Sequence, residues 1–180
     1  SEMTIESELL VSVLKLTKSG SVQRELIIRD FRVPIQIAEE TLRKFSKAGL
    51  IQCVGNKVEA SSNQRVKMAI HAVELGTDFE RVCRVLEWSE FESIASTAFE
   101  TSGFGVKRRF RFKWANRRWE IDILGCREPI VACVDCKHWH YGWQRSAIVK
   151  AVEAQVGRTQ VLAEAIQFLY QKVGISNWKR

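Results

Sequence analysis

Hydrophobic positions in the first hundred residues recur mostly at three and four, the period of a helix with one buried face. Ser7 to Lys18 carries Leu9, Leu10, Val13, Leu14 and Leu16 on a broad apolar face. After the break at Ser19–Gly20, Ser21 is expected to cap a second helix through about Arg29. Pro34 suits the first turn of a third helix, with Ile37, Ala38, Thr41, Leu42, Phe45 and Ala48 in period and Gly49 closing it. The stretch IQCVGNKVEA then places two short β-type runs around Gly55–Asn56, a two-residue hairpin signal. A helix is expected from Asn63 to Leu75, stopped by Gly76. Thr77 with Glu80, and Ser89 with Glu92, read as capping boxes opening helices through Leu86 and through about Thr101.

From residue 104 the period changes to alternation. Phe110, Phe112 and Trp114 point one way, and Arg109, Arg111 and Lys113 the other. Trp119 to Leu124 reads as the hairpin partner across an Ala115–Asn116 turn, and Ile130 to Lys137 as a third strand. A long helix follows, from about Ser146 to Lys172. Helix, three strands and helix define an α/β arrangement. The boundary is expected near Gly76, giving domains 1–76 and 77–180.

Charge sharpens this outline. The net charge of +7 is weak evidence of a polyanionic partner, but KRRFRFKWANRR, from Lys107 to Arg118, gathers seven cations without an acid. No apolar run is long enough to span a bilayer, and SEMTIESELL lacks a basic n-region and an apolar h-region, so a cytoplasmic protein without a membrane partner is expected. Five scattered cysteines, an odd number, fit reduced thiols better than a disulfide framework.

Three helices and a hairpin in that order, with AEETLRKFSKAGLIQCV, resemble the recognition helix and wing entry of prokaryotic winged-helix proteins. The resemblance implies DNA binding through the exposed side of the third helix, where Gln36, Glu40, Arg43, Lys44 and Lys47 fall. Glu39 and Glu40 would repel phosphate there, and the plainer alternative is a small packing or dimerisation domain.

The chemistry sits further on. Residues two apart on a strand share a face, so Glu120 with Asp122, and Asp135 with Lys137, are expected to project together from adjacent strands. Like charges gathered in apolar surroundings are costly unless a cation joins them, and an all-oxygen set suits Mg²⁺ or Mn²⁺. WEID at 119–122 followed by VDCK at 134–137 resembles the PD-(D/E)xK nuclease superfamily. Glu92 on a preceding helix and Gln155 within KAVEAQVGR make it similar to the branch of Mrr-type restriction endonucleases and archaeal Holliday-junction resolvases. The resemblance covers roughly residues 88 to 165 and implies a restriction-endonuclease-like α/β fold, a mixed central sheet flanked by helices, with a further strand expected after the long helix.

It also implies roles. Asp122, Asp135 and Glu92 would hold the metal, with the Cys136 carbonyl a further candidate ligand; Ile121 stands where the family has its proline. Lys137 would orient the attacking water, Glu120 would hold an outer-shell water, and Gln155 would help position the site. Arg109, Arg111 and Lys113 would grip the DNA backbone. Each has a plainer reading: Glu92 as a capping residue, Gln155 as an exposed helix residue, Glu120 as a partner of Arg118 or Arg111, Asp135–Lys137 as an exposed ion pair, and the basic strand as a solvated face. Cys126, Cys133, Cys136, His138 and His140 are zinc-type ligands, but Cys133 and Cys136 lie inside an apolar run at an offset that sends the thiols to opposite faces. The expectation is a divalent-metal-dependent DNA endonuclease, with a homodimer favoured for cutting both strands; the rival is a non-catalytic DNA-binding protein on the same scaffold.

Overall fold

The computed structural model describes residues 4–136 and 145–178 of the chain, with the side chains of 145–148 left aside. It is a mixed α/β protein, with two three-stranded antiparallel sheets among helices in the described residues, divided into compact units Ser1–Ile94 and Ala95–Arg180. Among the described residues no helix is long and apolar enough to cross a membrane.

The first unit runs α1 (Ile5–Leu16), β1 (Val22–Gln23), α2 (Arg24–Phe31), α3 (Ile35–Lys47), β2 (Gln52–Val54), β3 (Lys57–Glu59), α4 (Ser62–Glu74) and α5 (Phe79–Arg84). Its sheet order is β1-β3-β2, with Gly55 at φ +59° in the turn between β2 and β3. Leu9, Leu10 and Leu14 of α1, Ile27 of α2, Phe45 of α3 and Met68 of α4 form one core. Fully burying such side chains is worth about 1.5–3 kcal/mol each.

Several expected helix starts shift. Ser21 is not a cap: residues 22–23 are drawn into the sheet by β3, and the Arg24 N–H is taken by the Asn56 carbonyl of the hairpin. Ser61 and Gln64 form a reciprocal capping box at α4, while at α5 the cap is Asp78, whose Oδ1 accepts from the Arg81 N–H, rather than Thr77. The helix α6 (Trp88–Thr101) begins a residue before Ser89, and Glu90 folds back to accept the Glu87 N–H. The compact division falls later than the boundary expected at Gly76. Val82 and Leu86 complete the core built by α1 and α4, and buried Arg65 of α4 pairs with buried Glu90 of α6.

In the second unit β4 (Gly105–Trp114), β5 (Arg117–Arg127) and β6 (Ile130–Val134) form a sheet in that order, followed by α7 (Arg145–Val173). Ala115 and Asn116 both have positive φ, as a tight two-residue hairpin demands. Phe110, Phe112, Ile121 and Leu124 meet Leu162, Ala165 and Val173 in the core beneath α7. The expected alternation does not run through. Ile121 and Leu124 are three apart yet join the same core, so the period slips by one in the stretch that holds Asp122. On β4 the matching irregularity is Arg109, at φ +49°. Non-glycine residues rarely adopt this left-handed region, and it ends the simple placement of Arg109 with Arg111 and Lys113 on one face. The third strand ends at Val134 instead of reaching Lys137.

Candidate active site

The register of the second sheet sets one row of charged residues across it. Arg108 pairs with Ile123 and Phe110 with Ile121, so Arg109 of β4 stands opposite Asp122 of β5. Ile123 pairs with Val134, so the next step off the end of β6 sets Asp135 beside Asp122. Neighbouring strands lie about 4.8 Å apart, which brings the two acids to one locality at the end of the β5–β6 ladder. Asp122 Oδ2 accepts the Cys136 N–H at 2.8 Å. That side-chain bond replaces a ladder bond just past β6, which is the local reason the strand stops there.

Helix α7 supplies the other wall. Arg158 donates through one terminal nitrogen to Asp135 Oδ1 at 2.9 Å and through Nε to Gln155 Oε1 at 3.0 Å. The Asp135 side chain is 12% exposed and that of Arg158 23%, so the pair is partly shielded without being sealed. Among the described residues Gln155 Nε2 is enclosed and has no hydrogen-bond partner, an orphaned donor beside the cation that holds Asp135. Sequence reasoning singled out Gln155 but passed over Arg158. Its signal was its place three residues after Gln155, since side chains at that spacing share a helix face.

The other expected residues have settings of their own. Glu120 is exposed and held by Arg111 Nε at 2.6 Å, the cross-strand partner its register dictates. That is the plainer of its two readings, and it leaves Arg111 engaged as well. Lys113 is exposed on β4. Glu92 lies in the first unit, buried, with the Trp88 indole N–H donating to Oε1. On α3, Arg43 and Lys47 line an exposed cleft with Arg24 and Glu39, whereas Lys44 donates to Glu6 at 2.8 Å and holds that carboxyl below its ordinary range. Lys137, His138 and His140 lie outside the described residues.

The donor set fits a hard divalent ion. Asp122 and Asp135 bring carboxylate oxygens to one end of the β5–β6 ladder, with Asp135 only partly shielded, and carboxylate oxygens are the donors that Mg²⁺ or Mn²⁺ takes, with water completing the shell. Among the described residues there is no cluster of three or more His, Cys, Asp or Glu side chains arranged to hold a metal. The thiols have another setting. Cys126 and Cys133 pack against the α7 core, and burial pushes both pKa values up, which keeps them protonated near neutral pH.

No family model matches the chain, and no solved structure matches it. A protein of Archaeoglobus fulgidus described as uncharacterized is 40% identical over 52 residues, a stretch amounting to 29% of this chain and 40% of that protein.

Proposed function

We propose that this chain is a divalent-metal-dependent DNA endonuclease of the PD-(D/E)xK kind, with a winged helix that binds DNA. The observation that carries the reading is the adjacency of Asp122 and Asp135 at the end of one ladder, with Gln155 and Arg158 of the following helix at Asp135. The order helix, three antiparallel strands, helix agrees with it. So does the α–β–α–α–β–β order of the first unit, whose β2–β3 hairpin would be the wing and α3 the recognition helix.

Asp122 and Asp135 would hold Mg²⁺ or Mn²⁺. When bound, the ion offsets the negative charge of the phosphodiester and lowers the pKa of a coordinated water. The protein's own groups do the rest. The Cys136 N–H fixes the rotamer of Asp122, and Arg158 fixes that of Asp135. Arg158 also places a permanent cation where charge builds on the phosphoryl oxygens, a role shared with Lys137 two residues beyond Asp135 in sequence. Arg109, opposite Asp122, and Lys113 further along β4 steer the DNA backbone towards the row.

The test is a cleavage panel of linear, nicked, branched and base-modified DNA with Mg²⁺ and with Mn²⁺. At least one substrate should be cut, and Asp122→Ala should abolish cutting while DNA binding survives. A panel left intact with both metals contradicts the reading.

A further inference from the structure

The tip of the β4–β5 hairpin carries aromatic rings that the proposed phosphodiester chemistry does not use. Phe168 of α7 is 67% exposed, unusual for a ring on a core helix, and stacks on Trp114 with centroids 5.5 Å apart and planes at 27°. Beside it, the Arg117 guanidinium lies 4.9 Å from the centroid of the Trp119 ring. A cleft of about 740 Å³ has Phe112, Trp119 and Leu169 among its apolar lining and Lys113, Arg118 and Lys172 among its cations. The acid in that lining, Glu120, is already held by Arg111.

We propose that this cleft and the Phe168–Trp114 stack next to it in sequence, which is not itself part of the cleft lining, together bind single-stranded DNA, with unpaired bases stacking on Phe168 and Trp119 while the cations follow the phosphates. The proposal deepens the endonuclease reading and rests on it for its biological sense: the substrate would be DNA with a single-stranded or splayed segment, not an uninterrupted duplex. A single strand offers an anionic backbone together with open π-faces, the two features this surface complements. A duplex keeps its base faces inside its own stack and offers the rings nothing. A second copy of the chain is the other candidate occupant. A two-fold contact through the same patch would set Lys113, Arg117, Arg118 and Lys172 against their own counterparts, a like-charge juxtaposition that opposes it.

The experiment measures fluorescence anisotropy of a labelled oligothymidylate of roughly 20 nucleotides and of a duplex of equal length, with the full chain in chelator so that nothing is cut. Phe168→Leu should weaken oligothymidylate binding about ten-fold and shift duplex binding less than about two-fold, and Phe168→Tyr should restore the affinity. Lys113→Ala and Arg118→Ala should each reduce the slope of log K against log salt by about 0.7. Unchanged oligothymidylate binding by Phe168→Leu overturns the proposal, as does an equal loss on both DNAs. So does sedimentation showing that Phe168→Leu dissociates a dimer. Because binding is read without metal, a protein that cuts nothing would sink the endonuclease reading and leave this result standing, and the converse holds too.

Discussion

Each unit of the chain pairs a shielded arginine with a carboxylate, and the two pairs are built to different ends. In the first unit Arg65 donates through Nε to both oxygens of Glu90, through one terminal nitrogen to the Leu14 carbonyl and Thr17 Oγ1, and through the other to the Val85 carbonyl. Both side chains are almost wholly enclosed, at 4% and 2% exposure. Every nitrogen of that guanidinium is spent on fixing α1, α4 and the start of α6. In the second unit Arg158 reaches Asp135 and Gln155 from a position still open to water, next to an orphaned amide donor. The first arrangement is a clasp. The second has the partial shielding and incomplete satisfaction that a binding site for an incoming charged group needs.

That contrast can be broken by substitution. Arg65→Met leaves Glu90 buried without its cation and should cost about 3–5 kcal/mol in chemical denaturation. Arg158→Met should cost only about 1–2 kcal/mol. Equal losses would erase the distinction. On the proposed endonuclease reading, Arg158→Ala should instead lower single-turnover cleavage by roughly 10²-fold, with Arg158→Lys recovering part of it, because the cation would face the developing phosphoryl charge. A pair of purely structural value would shift the melting temperature and leave the rate alone.

Smaller effects test the frame around each pair. A Cβ added at Gly125 would come within 2.9 Å of the Phe99 ring of α6 and 3.3 Å of the Phe104 ring. Gly125→Ala should therefore cost about 1–3 kcal/mol by overpacking. Gly105→Ala, whose nearest neighbour would be the Cys126 carbonyl at 3.7 Å, should be mild by comparison in the same unfolding assay. The first unit also carries an accessible pair, Glu8 with Arg81, in which the guanidinium's hydrogen bonds outweigh burial and hold the carboxyl below its ordinary 4.5. A depressed carboxyl contributes stability that is present above its unfolded pKa and lost as pH falls through its folded one. Glu8→Gln should thus cost under about 1 kcal/mol at neutral pH and flatten the stability loss below about pH 4.5. An unchanged acid limb would deny the pair that contribution.

Most of the order of helices and strands was legible because burial imposes a period; the two-residue β1, too short to show one, was not. Helix starts were less legible. Thr77 was the expected cap, yet the next residue, Asp78, takes that place, because the backbone path decides which side chain meets the free N–H groups. The boundary expected at Gly76 followed a strong local signal, whereas the compact division depends on long-range facts, Val82 and Leu86 in the first core and the Arg65–Glu90 pair. Nothing in KRRFRFKW marks Arg109 for a left-handed conformation, so the slip of alternation around Asp122 could not be read from the pattern. Asp122 and Asp135 stood out as acids interrupting apolar runs, although Asp135 lies just past the end of its strand. Arg158 was in plain view within KAVEAQVGR, but a basic residue on an exposed-looking helix carries no signal until the strand end is placed beneath it.

The claim on which the account rests is that Asp122 and Asp135 act as one metal site. Isothermal calorimetry of Mn²⁺ binding to the full chain addresses it directly. The wild type should bind, Asp122→Asn and Asp135→Asn should each abolish binding, and Arg158→Ala should bind at least as tightly by freeing Asp135 from a competing cation. Two aspartate variants that bind Mn²⁺ as the wild type does would contradict it.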